Sequence, residues 1–156
     1  MKNLFKLKRG FTLIELLVVI GILAVLLAIT LIAINPSRQF SQANNTKRSS
    51  DVNAILNAIN QYAADNKGSL PAGIPDTTAG AAVIGSGAGQ VNICAALVTQ
   101  YMAALPVDPL TNNRTPVTDC TGSYNTNYTV VRSTTDNRLT VSAPAAELSA
   151  TISVTR

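Results

Sequence analysis

The chain has no histidine, no tryptophan and only two cysteines, and charged residues fill just 13% of its 156 positions. Without histidine it lacks the commonest general base, the commonest metal ligand and every histidine-dependent triad. No dense group of carboxylates or nucleophiles stands in for them, so an enzyme is not expected. Aromatic residues make up 4% of the chain, so a soluble core must be small and built from Ala, Val, Ile and Leu. The formal charge of +4 has a local origin. Lys2, Lys6, Lys8 and Arg9 lie in the first ten residues, and the remaining eight basic residues balance eight acidic ones. Past residue 10 there is no electrostatic case for a nucleic-acid partner.

What the chain does have is a long apolar run. From Phe11 to Ile34 there are 24 residues with one charge, Glu15. At about 1.5 Å per residue, a helix of this length spans a hydrocarbon core of about 30 Å. A cleaved secretory signal carries only about 7–15 apolar residues before a small-residue cleavage site. Asn35-Pro36-Ser37-Arg38 does not resemble such a site. The run is read as a single-pass membrane anchor. The basic cluster before it predicts a cytoplasmic N-terminus and an exported remainder. Seventeen Leu, Ile, Val and Phe residues favour insertion by about 5–10 kcal/mol, against about 3 kcal/mol at most for one acid. Glu15 is therefore tolerated in the anchor, but insertion gains nothing from it. It is either an interfacial acid or a group that meets a cation at the same depth.

Lys8-Arg9-Gly10-Phe11-Thr12-Leu13-Ile14-Glu15, followed by Leu16-Leu17-Val18-Val19-Ile20, resembles the class III signal of type IV pilins and pseudopilins. The resemblance implies cleavage between Gly10 and Phe11 by a prepilin peptidase and N-methylation of Phe11. It also implies that Glu15 and Phe11 act in assembly. Cleavage would put the new amino group four residues before Glu15. A neighbour's amine paired with this carboxylate inside an apolar bundle would reward one axial offset between subunits. The partners implied are further copies of the chain in a homopolymeric filament, the peptidase, and an inner-membrane assembly platform. The filament would be extracellular or periplasmic. The similarity is close over residues 1–34 and weaker as far as Pro71. Many members of the family carry a helix-kinking proline within the apolar run. Here the first proline is Pro36, so a kink is expected near Asn35-Pro36.

Four segments are expected: a cleaved leader (1–10), an anchor and filament-core helix (11–35), an amphipathic helix (36–67) and a globular head (68–156). Val52, Ile55, Leu56, Ile59, Tyr62 and Ala63 form an apolar stripe at helical spacing, with Lys47 and Asp51 assigned to the wetter side. Asn66-Lys67-Gly68 before Pro71 predicts a stop, with Gly68 as the left-handed cap. Phe11 to Asn66 then reads as one nearly continuous helix. Residues 68–90 hold six of the nine glycines and read as loop. "GSGAGQ", 85–90, lacks the lysine and spacing of a phosphate-cradling turn. A short helix with Val91, Cys94, Leu97, Val98, Tyr101 and Leu105 on its buried face is expected next. Three short strands follow, around 128–130, 139–141 and 148–154, with a turn at Asp136-Asn137. The fold class is α+β: a long N-terminal helix packed on a small antiparallel sheet, in the manner of type IV pilins.

Export and a small core favour a bridge between Cys94 and Cys120. "LPVDPLTNNRTP", 105–116, is similar to a loop in some major pseudopilins where acids and carbonyls bind calcium. Asp108 and Asp119 are the only acids nearby, which makes a weak calcium constellation. No cofactor is otherwise expected. The leading expectation is a pilin-like structural subunit for adhesion, motility or DNA uptake. The alternatives are the major pseudopilin of a type II secretion system and, from another class, a membrane-tethered exported binding domain.

Overall fold

The structure, a computed structural model, describes residues 10–156. The leader residues 1–9, with Lys2, Lys6, Lys8 and Arg9, lie outside the described residues. The chain divides into two compact units, Met1–Gln39 and Phe40–Arg156.

The first unit is dominated by helix α1, Leu13–Ile34. Its residues are almost uniformly apolar, so no face is distinguished. None of them is buried within the chain. The helix ends at Asn35, in the left-handed region at φ 46°, ψ 79°, where asparagine is tolerated better than most residues. Pro36 explains the break. It has no N–H to continue the ladder and it disfavours the helical conformation in the residue before it. Pro36 instead opens helix α2, Pro36–Asp65, at the position where a missing N–H costs nothing. Asn35 also caps this new start: its carbonyl accepts from Arg38 N at 3.1 Å, and its side chain accepts from Ser37 Oγ at 2.8 Å. The expected interruption near Asn35-Pro36 is present, and it divides what reads in sequence as one continuous helix.

The second unit is the head. Val52, Ile55, Leu56 and Ile59 of α2 are fully buried, while Tyr62 packs at the margin of the core. The stripe extends further towards the N-terminus than its apolar members indicate. Arg48 and Asp51 are buried as well, so Asp51 does not lie on a wet face. The helix closes with Gly68 N donating to the Ala63 carbonyl at 2.7 Å. Lys67 (φ 56°) takes the first left-handed position after the helix, ahead of Gly68 (φ 87°). The cap is thus one residue earlier than the glycine suggests.

The sheet has four antiparallel strands in sequential order: β1 Ala82–Gly85, β2 Asn125–Arg132, β3 Leu139–Ser142 and β4 Ser153–Thr155. Thr126, Tyr128 and Val130 of β2, with Leu139 and Val141 of β3, face inward and share one core with the α2 stripe. The segment read as loop therefore contains a strand. β1 is short and flanked by Gly and Ala, and its conformation is set by pairing with β2 in the register Ala82 with Val130 and Val83 with Thr129. Gly85 is needed where this pairing shifts, because a Cβ there would stand 2.9 Å from the Tyr124 carbonyl oxygen.

Two further expectations change. The short helix is one turn, α3 Cys94–Leu97, because Thr99 at φ 75° leaves helical space. Val91, Cys94, Leu97, Val98 and Leu105 are nevertheless buried, with Tyr101 packed at the margin. The last strand begins at Ser153, because Leu148 and Ser149 both adopt positive φ and form a turn. Cys94 and Cys120 are joined in a disulfide, with Cα atoms 5.4 Å apart and a sequence separation of 26. Closing a loop of this size stabilises a fold by about 3–4 kcal/mol in the chain-entropy model.

Candidate processing site and the charged cluster of the head

Gly10, Phe11 and Thr12 precede α1 in non-helical conformation. Phe11 is 86% exposed. Around Gly10 the space is open, with no heavy atom within 4 Å of where a Cβ would stand. Thr12, the last residue before the helix, is extended at φ −80°, ψ 152°.

Thr12 and Glu15 form a reciprocal cap. Thr12 Oγ1 accepts from Glu15 N at 3.3 Å, and Glu15 Oε2 accepts from Thr12 N at 2.9 Å and from Thr12 Oγ1 at 2.7 Å. Two amides that the helix leaves without intrahelical partners are thereby satisfied. The sequence shows this directly as Thr-x-x-Glu. The acid thus has a role within its own chain, and its negative charge suits a helix N-terminus. Phe11, Ile14, Val18 and Val19 surround it in a shallow groove of about 340 Å³. Among the described residues no cation of the same chain pairs with Glu15.

A second polar constellation lies in the head. Arg48, on the extended α2 stripe, is fully buried. Its Nε donates to Asp108 Oδ2 at 2.7 Å and its Nη2 to Asp108 Oδ1 at 3.2 Å. Its Nη1 donates to Glu147 Oε2 at 2.7 Å and to Asn45 Oδ1 at 3.0 Å. The Asp108 hydrogen bonds are the main reason that the guanidinium titrates above its ordinary value. Glu147 also accepts from Asn44 Nδ2 at 2.9 Å and from Ser41 Oγ at 2.8 Å. One guanidinium thus joins α2 to the 105–110 loop and to the turn before β4. One helical turn further on, Asp51 pairs with Lys47 and accepts from Tyr128 Oη at 2.8 Å. Burial, then that bond, pushes the Tyr128 hydroxyl well above the ordinary tyrosine range.

Asp108 and Asp119 sit in different surroundings. Asp108 is committed to Arg48 and to the Leu110 amide at 2.9 Å. Asp119 accepts from Thr121 N and Oγ1 at 2.9 and 2.7 Å in an exposed turn. Among the described residues no group of three or more His, Cys, Asp or Glu side chains converges on one point.

The cluster has a pH consequence. Hydrogen bonds from Arg48, Asn44 and Ser41 pull the Glu147 carboxyl down from 4.5 to about 2. A depressed folded pKa stabilises the fold fully above the ordinary value, and that contribution is lost as pH falls from about 4.5 towards 2. Thermal melts followed by circular dichroism across this window should show a steeper loss for the native chain than for Glu147→Gln. The variant should melt lower at neutral pH and converge towards the native chain near pH 2.

α1 has the length and apolarity to cross a membrane, and with the small antiparallel head it gives a pilin-like α+β fold. The family model described as the prokaryotic N-terminal methylation motif matches residues 5–31. This is the class III signal motif of type IV pilins, and it supports a membrane-anchored precursor of the pilin or pseudopilin type. Comparison with curated proteins and with solved structures gives no match.

Proposed function

We propose that the chain is a structural subunit of a type IV pilin-like surface filament. It is made as a membrane precursor with its N-terminus in the cytoplasm and its head exported. It is then cut between Gly10 and Phe11 and methylated on Phe11. Assembly follows with further copies of itself on an inner-membrane platform. The observation that carries this reading is the methylation motif at residues 5–31 running directly into a helix with no buried residue. Such a helix must leave lipid for the matching helices of neighbours. Lipid is as apolar as those helices, so packing and polar matching decide the assembly. The head then forms the outer surface.

Mass spectrometry of filaments sheared from cells, compared with the remaining envelope, tests the proposal. Sheared material composed mainly of this chain and beginning at methylated Phe11 is the expected result. Processed chain that stays with the envelope, while long filaments lack it, would instead identify a secretion pseudopilus.

The Thr12–Glu15 cap allows the two possible roles of the acid to be separated. Glutamine at this position retains the capping box but carries no charge. If the carboxylate pairs with a neighbour's amine, both Glu15→Gln and Glu15→Ala should reduce filament yield at least tenfold while membrane insertion persists. Full assembly by Glu15→Gln would leave capping as the whole role of Glu15.

A further inference from the structure

A cleft of about 560 Å³ opens in the head between the end of α2 and the end of β2, lined by Ser69, Leu70, Pro71, Ile74, Arg132 and Asn137 among others. Among the described residues, Arg132 Nε is the one buried side-chain nitrogen or oxygen without a hydrogen-bond partner. The main chain of Arg132 is satisfied, since its N–H donates to the Pro75 carbonyl at 2.8 Å. Its side chain differs from the other arginines of the head. Arg48 and Arg138 are ion-paired, Arg114 donates to the Pro109 carbonyl and Arg156 to Asn57.

Asp76 does not form an ion pair with the Arg132 side chain. Asp76 bridges Arg132 along the backbone, but its carboxylate accepts from the Thr78 hydroxyl and from the Thr78 and Ala79 amides. Arg132 acts on Asp76 only as the weakest of the influences that lower its pKa. Burying a guanidinium N–H without an acceptor costs free energy and returns none to the fold. The residue as a whole is only partly buried and lines the cleft, so the rest of its side chain is open to an acceptor arriving from outside.

The lining indicates what kind of acceptor. A guanidinium presents a planar fork that matches a carboxylate. Among the described residues no second cation lines the cleft, which suits a single negative charge better than a phosphate. Ser69 and Asn137 add neutral hydrogen-bonding groups, while Leu70, Pro71 and Ile74 offer an apolar wall for a ring. The volume falls in the range of about 300–1,000 Å³ usual for small-molecule sites. We propose that this cleft binds a small hydroxylated carboxylate, an acidic monosaccharide of the uronate type, with its carboxylate on the Arg132 guanidinium. The site would give the head a ligand specificity of its own, and it does not depend on the filament reading.

The test is titration calorimetry on the full chain in detergent micelles, with D-glucuronate as the probe and D-glucose and inorganic phosphate as comparisons. Glucuronate should bind one to one and glucose should not. Arg132→Gln should weaken binding at least tenfold, while Arg138→Gln, on the same hairpin but outside the cleft, should leave it unchanged. Should Arg132→Gln fail to fold, Arg132→Lys keeps the charge, loses the fork, and should also bind glucuronate more weakly. Equal binding by the native chain and the Arg132 variants would overturn the proposal. So would tighter binding of phosphate than of glucuronate, or no binding at all, which would mean that the cleft holds water only.

Discussion

Chains carrying Gly10→Leu are expected to accumulate in the membrane as a precursor about 1 kDa heavier than the processed form, because the ten-residue leader stays attached. No filaments should form from them. The structure makes this a clean experiment. A side chain at Gly10 meets open space, and the backbone there is not in the left-handed region that only glycine accepts easily. Leucine therefore leaves α1, its Thr12–Glu15 cap and the head undisturbed, and any block acts at recognition by the peptidase. Immunoblotting of membrane fractions, with mass determination of the N-terminal peptide, reads the result. Normal filaments built from uncut Gly10→Leu chains would remove the processing step from the account.

The second large effect belongs to the buried cation. Arg48→Ala leaves Asp108, 1% exposed, stripped of its cationic partner. Removing one member of a buried pair costs about 3–5 kcal/mol, which for a head of this size lowers the melting temperature by about 10–20 °C. Replacing both members with apolar residues of similar bulk, Arg48→Met with Asp108→Leu, should recover part of the loss. Recovery stays partial because Asp108 also holds the Leu110 amide. Chemical denaturation of the two variants beside the native chain provides the measurement. Similar stability in Arg48→Ala and the native chain would show that the cluster contributes little.

The anchor, the processing motif and the break at Asn35-Pro36 were legible because each is encoded within a few neighbouring residues. The Thr12-x-x-Glu15 cap is equally local, since both residues lie within one helical turn. β1 was hidden for a different reason. Four residues among glycines and alanines carry no period of their own, and the partner strand lies some 40 residues later. The charged cluster had a usable signal. Arg48 precedes Val52 by four residues, and Asp51 precedes Ile55 by four, so both continue the apolar stripe on the same face. Charged side chains at such positions ordinarily face solvent. The partners that reverse this, Asp108 and Glu147, are 60 and 99 residues away from Arg48, and no local pattern indicates them. Arg132 in the cleft is likewise a property of tertiary packing.

The reach of Arg48 also bears on the order in which the head is made. α2 emerges first during synthesis, the 105–110 loop much later, and Glu147 close to the end of the chain. The guanidinium therefore waits, first without either carboxylate and then with one. The disulfide encloses Asp108 within its loop, since Cys94 precedes and Cys120 follows it. Oxidation of the cysteines and capture of the last turn by Ser41, Asn44 and Arg48 are thus two separate closures within one head. A chain truncated before residue 147 would lack the second closure, so the cluster is complete only when the last segment of the head is in place.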